Sequence, residues 1–250
     1  MKQLSILNNY LLLTIKNSIK LLKKLDKKEQ NIEDLHNFRL NIRKIRSLLN
    51  LFFKDKKSIN LKLKKIFLKT NSLREFDIFI KTLSKDKYPN LHKKIILERK
   101  KYLKKYWNKK STKKYLKKLK RIKNKISKIK YSYSNQELIK ITHNHFEESI
   151  DLAKKIDAKY SNKKLHKIRI HFKKSRYSLE FLENCHISNE KNKIKICKKV
   201  QNNFGEIQDI RNQIGYLKKS KIKKCSKKEC KKLLKNKKDE LNKLKSNIYE

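Results

Sequence analysis

Two eleven-residue windows of this chain hold histidine and arginine in the same order. The first is His36-x2-Arg39-x3-Arg43-Lys44-x-Arg46, and the second, 130 residues later and without a gap, is His166-x2-Arg169-x3-Lys173-Lys174-x-Arg176. Only nine of the 72 basic residues are Arg, and five of those nine fall inside the two windows, where an even spread would put about one. Lysine abundance does not explain that concentration. A guanidinium is a planar fork that can hold two phosphate oxygens at once, which an ammonium cannot do. Seven of the ten basic residues also follow an apolar one, as in Leu35/His36, Phe38/Arg39, Ile42/Arg43 and Ile168/Arg169. One residue is a turn of about 100° on a helix, so the basic row flanks the apolar stripe at the edge of the core. From His36 to Arg46 the rise is roughly 15 Å. The pattern suits capture of a linear anion with repeated charges, and two rows facing each other would make a channel for it.

A second signal is acidic. Leu73-Arg74-Glu75-Phe76-Asp77 and Phe204-Gly205-Glu206-Ile207-Gln208-Asp209 bring carboxylates together in a chain that has only 23 of them. Arg74, Glu75, Asp77, Glu206 and Asp209 read as supports that orient the arginines and offset their mutual repulsion. Ordinary solvent-facing ion pairs are the alternative for any one of them. No nucleophile or acid pair stands at a specific spacing, so catalysis is not expected. His36 and His166 have no histidine partner at i+3 or i+4, and His143-x-His145 points to two sides of a helix, so neither a metal nor a cofactor is expected. The four cysteines, Cys185, Cys197, Cys225 and Cys230, match no common zinc spacing and read as reduced thiols of a cytoplasmic protein.

The elements that position these residues are helices. Two Gly and one Pro in 250 residues exclude a fold built on Gly-rich phosphate loops or frequent β-turns. Apolar residues recur at three and four positions in eight stretches, of which Leu7-Leu11-Ile15 is the first and Leu35-Phe38-Ile42-Ile45-Leu49-Phe52 the second. Asn31 and Asp34 resemble a helix-capping pair ahead of that second stretch. A third pattern runs from Ile66 to Leu83 up to a break before Pro89. The fourth, from Leu91 to Lys130, is expected to bend near Ser111. Tyr131 to Asn135 is the candidate joint, so residues 1–130 form a first four-helix half and 136–250 a second. No uncharged stretch is long enough to span a bilayer.

The doubled motif resembles the CHAD domain, the conserved histidine α-helical domain. The match rests on Leu35-His36-x2-Arg39-x3-Arg43-Lys44-x-Arg46-Ser47-x-Leu49, on Leu165-His166-x2-Arg169-x3-Lys173-Lys174-x-Arg176-Tyr177-x-Leu179-Glu180-Phe181, and on the two acidic motifs. The resemblance implies an all-α fold of two four-helix bundles related by a pseudo-two-fold axis, about eight helices, with a basic central cleft or pore. It implies binding of inorganic polyphosphate, often at polyphosphate granules, without catalysis. His36, Arg39, Arg43, Lys44, Arg46, His166, Arg169, Lys173, Lys174 and Arg176 would form the anion-binding rows. Three positions depart from the family pattern: Lys173 replaces Arg, Asn71 replaces Gly, and Glu75 replaces Asp. The Glu-x-Glu-x-Lys motif of a fused triphosphate-processing domain does not occur, so the chain reads as a stand-alone binding module.

The formal charge of +49 admits other polyanions. The main rival reading is a lysine-driven nucleic-acid-binding or compacting protein, with Tyr102, Tyr106, Trp107 and Tyr115 as possible stacking platforms. Those aromatics fall largely on the apolar side of their stretch, where burial is the usual outcome. Weak non-specific nucleic-acid binding is compatible with either reading.

Overall fold

Apolar residues spaced by three and four wind most of the chain into helices that bury one stripe each. The computed structural model describes residues 5–25, 32–129, 133–156, 162–219 and 227–246. Asn31, Tyr131, Ser132 and Cys225, singled out above, lie outside these residues. Among the described residues there are ten α-helices and one short 3-10 turn, Lys54–Lys56. The α-helices are α1 (Ile6–Lys24), α2 (Ile32–Phe52), α3 (Lys57–Leu68), α4 (Asn71–Thr82), α5 (Pro89–Tyr106), α6 (Lys109–Ile126), α7 (Asn135–Lys154), α8 (Asn162–Asn184), α9 (Lys191–Lys219) and α10 (Lys227–Ser246). The fold is all-α. No helix among the described residues is long and apolar enough to cross a membrane.

Ten helices arise where periodicity shows eight because two patterns are interrupted without losing phase. The third divides at Lys69 and Thr70, between α3 and α4. The buried Thr70 turns its hydroxyl onto the Phe67 carbonyl at 2.6 Å. The fourth divides at Trp107 and Asn108, just ahead of the expected bend. There the Asn108 side chain accepts from the Ser111 amide at 3.0 Å and starts a new helix. Pro89 opens α5, where its missing N–H costs nothing. Ser134 and Glu137 close a reciprocal capping box at the start of α7. At the end of α8, His186 adopts φ 54°, and the amides of His186 and Ile187 return to the carbonyls of Glu183 and Leu182. That is a Schellman closure made without glycine.

Three apolar clusters hold the helices together. The largest joins α1, α2, α3 and α6, and takes in Phe181 and Leu182 from α8. A second joins Phe76 and Phe79 of α4 and Leu91 and Ile95 of α5 to Leu217 of α9 and Leu233 of α10. The third packs α7, α8 and the first part of α9. Core contacts therefore cross the 131–135 segment in both directions, and Glu229 of α10 caps α5 by accepting from the Leu91 amide at 2.8 Å.

Phe181 is fully buried and meets Tyr10 and Phe52 edge-on, with ring centroids 5.1 and 6.2 Å away. It ties α8 to α1 and α2. Phe181→Ala should therefore lower stability by about 3–4 kcal/mol in chemical denaturation, the usual cost of emptying a packed aromatic site.

Candidate anion-binding cleft

The two basic rows lie on α2 and α8, which pack against each other, and between them opens a cleft of about 770 Å³. His36, Arg39, Arg43 and Arg46 line it from α2, and His166, Arg169, Lys173 and Lys174 from α8. Lys64 of α3 and Arg74 of α4 also face it, so the lining holds eight Arg or Lys side chains against two carboxylates, Glu75 and Asp209.

Helix breaks and neutral acceptors hold the guanidiniums in place. Arg39 is buried, and its Nη1 donates to Thr70 Oγ1 and to Asn71 Oδ1, the latter at 3.0 Å. The interruption between α3 and α4 is what delivers both acceptors. Asn71, the departure from glycine, therefore fixes a ligand-row arginine. The Phe67 ring lies under two of these cations, with centroid distances of 4.2 Å to Arg39 and 5.2 Å to Arg43. Arg46 Nε donates to Asn60 Oδ1 at 2.8 Å. Neutral acceptors orient the cations without cancelling their charge.

The crowding is visible in the proton affinities. Burial, then Arg43 and Arg74, push the Arg39 guanidinium down to about 9. Burial, then Arg43 and Arg169, push the Lys173 amine down to about 6. Burial also lowers Arg46, Arg169 and Lys174. His36 and His166 lie below their ordinary 6.5, first through burial and next through Arg74 and Arg169 respectively. Each of these shifts disfavours the cation, so an anion entering the cleft would relieve them together.

The structure does not bring Lys44 and Arg176 into this cleft. Lys44 stands about 100° round the helix from Arg43. Its Nζ lies 3.1 Å from Glu180 Oε2, while Arg176 Nε lies 3.3 Å from Glu180 Oε1. Both line a separate cleft of about 550 Å³.

The acidic residues also divide. Glu75 and Asp209 face the rows, whereas Asp77 is buried behind them, pairs with Arg99 of α5 at 2.6 Å, and still favours the charge on Arg39. Glu206 is exposed and lines neither cleft. His143 reaches Glu190 at 2.6 Å, while His145 is buried beside His171, 5.4 Å between ring centroids. Cys185, Cys197 and Cys230 are free thiols, and burial pushes Cys197 up to about 12.

Sequence reasoning missed Asn60, Lys64, Phe67, Thr70, Gln208 and Asn212 as neighbours or walls of the cleft. None has a local signal. They are ordinary helix residues made relevant by what packs above them.

A search of curated proteins returns no match. The crystal structure of the CHAD domain from the plant Ricinus communis superposes with a TM-score of 0.70 at 13% identity, over 98% of this chain and 92% of that one. At that identity the likeness shows the fold. The family description of the CHAD domain matches residues 18–218, a span that contains α2, α8 and every residue of both clefts. The chain belongs to the CHAD domain family.

Proposed function

We propose that this chain binds inorganic polyphosphate in the cleft between α2 and α8, as a binding protein with no chemistry of its own, at polyphosphate granules in the cytoplasm. One observation carries the reading: eight Arg or Lys side chains converge on about 770 Å³ with two carboxylates among them. The family's general link to polyphosphate binding supports it. Arg39, Arg43, Arg46 and Arg169 supply fork-shaped donors along the cleft, and His36 and His166 extend the row at its ends. Lys173 and Lys174 add charge near its middle. The two facing rows of forked donors favour a linear anion with closely repeated charges.

The nucleic-acid reading keeps only part of its proposed stacking surface, since Tyr102 and Tyr115 are half-buried. Trp107 is 4% exposed and packs on Tyr115, and Tyr102 packs against the core clusters, leaving Tyr106 as the exposed ring of the four.

Arginine modification by phenylglyoxal tests the site directly. Long-chain polyphosphate should protect Arg43, Arg46 and Arg169, while Arg121, exposed on α6, stays reactive. Equal protection of Arg121 would point to a diffuse coat of anion around the protein instead of a site.

A further inference from the structure

The two rows repeat in sequence, but their far ends differ in charge. The 130-residue offset pairs Lys44 with Lys174, Arg46 with Arg176, and Asn50 with Glu180. On the first side Asn50 is neutral, accepts from Asn60, and leaves Arg46 and Lys174 facing the open cleft. On the second side the equivalent position is a carboxylate. Glu180 bridges Lys44 and Arg176 at 3.1 and 3.3 Å, with each of the three side chains only 18–19% exposed. A carboxylate shared by an ammonium and a guanidinium occupies the place a phosphate group would take between the same two donors.

Past that bridge the charge continues. The second cleft, about 550 Å³, carries Lys191, Lys195 and Lys198 of α9 beside Lys44 and Arg176. Its other acid, Glu183, is already engaged, since it accepts from the Glu190 amide at 2.6 Å. Glu180 is thus the acid shared by two cations of the second cleft, one of which, Arg176, lies near enough to Lys173 of the main cleft to disfavour its charge.

Resting on the polyphosphate reading of the main cleft, we infer that Glu180 is a built-in competing anion, displaced only by a phosphate chain long enough to continue from the main cleft onto Lys44, Arg176 and the α9 lysines. Glu180 then sets a length preference. Short chains fill the cleft beside an intact bridge, whereas long chains exchange the bridge for several phosphate contacts. The carboxylate raises the cost of that exchange and keeps Lys44 and Arg176 positioned when no ligand is bound.

The test compares tripolyphosphate and long-chain polyphosphate, by titration calorimetry at about physiological salt, on the wild-type full chain, on Glu180→Gln and on Glu147→Gln. Gln has the shape of Glu and retains an acceptor for Lys44, and Glu147 is an exposed acid of α7 that controls for net charge. Glu180→Gln should tighten long-chain binding about tenfold and leave tripolyphosphate within twofold of wild type, with Glu147→Gln unchanged for both. Equal tightening for both ligands, or the same effect from Glu147→Gln, would reduce Glu180 to one unit of net charge and overturn the inference. No change for long chains would overturn it as well. Failure of wild type to bind either phosphate more tightly than a sulfated polymer would instead remove the polyphosphate reading, and this inference with it.

Discussion

Long-chain polyphosphate should bind with uptake of a proton at pH 7.5, and its affinity should fall by close to tenfold per pH unit above about pH 7. The Lys173 amine lies at about 6 in the free cleft through burial and its neighbours Arg43 and Arg169, so at pH 7.5 it is largely neutral. A polyanion alongside reverses both electrostatic contributions and restores the charge. One proton bound with the ligand corresponds to a slope of about one decade per pH unit, up to the pKa reached in the complex. His36 and His166, held below 6.5 in the free protein, should steepen the dependence further toward acid pH. Calorimetry in two buffers of different ionisation heat measures the uptake. Lys173→Arg places a permanent charge there and should flatten the slope above pH 7. Binding that takes up no proton in wild type would contradict this picture of the cleft. The same amine also acts on the unliganded fold. In the unfolded chain it titrates near 10.5, so between about 6 and 10.5 the unfolded state holds a proton the folded state lacks. That contribution makes the free protein more stable as pH rises through the window.

Replacing Arg99 by Leu should destabilise the protein by about 3–5 kcal/mol, the usual consequence of stranding one partner of a buried ion pair. The Asp77 side chain has no exposed surface, and its Oδ1 meets Arg99 Nε at 2.6 Å. Burial pushes its carboxyl up even with that partner in place. Once Arg99 is gone, Arg74 and Arg39 offset the charge only from a distance, and protonation relieves the rest. The loss should therefore be smaller at pH 5 than at pH 8, and Asp77→Asn added to Arg99→Leu should recover part of it. Urea unfolding at the two pH values reads all three effects. The pair clamps α4 to α5, and α4 carries Asn71, Arg74 and Glu75 to the cleft, so polyphosphate affinity should weaken in the single variant. A loss below about 1 kcal/mol at pH 8 would show that this clamp does not position the cleft wall.

The helical class and both rows were legible because they depend on local spacing. Apolar residues at three and four, most of them within the two windows followed by a cation, define a face and its edge without any tertiary knowledge. Recurrence after 130 residues then separated the arginines from the lysine background. The break at Thr70 was hidden because Ile66 and Leu73 stay in phase across it, so periodicity alone runs through. With it were hidden Thr70 and Asn71 as acceptors for Arg39, and Phe67 as the ring beneath two cations. The partition of the rows was half visible. Arg176 and Glu180 stand at i and i+4, a spacing readable on one helix. Lys44 reaches the same carboxylate from another helix, and only the packing of α2 on α8 reveals it. For the same reason Asp77 grouped with the cleft acids in sequence but pairs with Arg99, 22 residues away on α5.

Placed arginines, not bulk charge, should bind the ligand. The direct measurement is long-chain polyphosphate affinity at about physiological salt, with duplex DNA as competitor, for wild type and two variants that lose equal charge. One replaces Arg43, Arg46, Arg74 and Arg169 by Ala, and the other replaces the exposed α6 lysines Lys113, Lys114, Lys117 and Lys120. Hydrogen bonds to charged groups contribute about 1.5–3 kcal/mol each, so the cleft variant should lose at least about a hundredfold in affinity. The α6 variant should stay within about threefold of wild type, and DNA should compete poorly. Equal losses in the two variants, with DNA displacing polyphosphate readily, would contradict the account and assign binding to the field of +49.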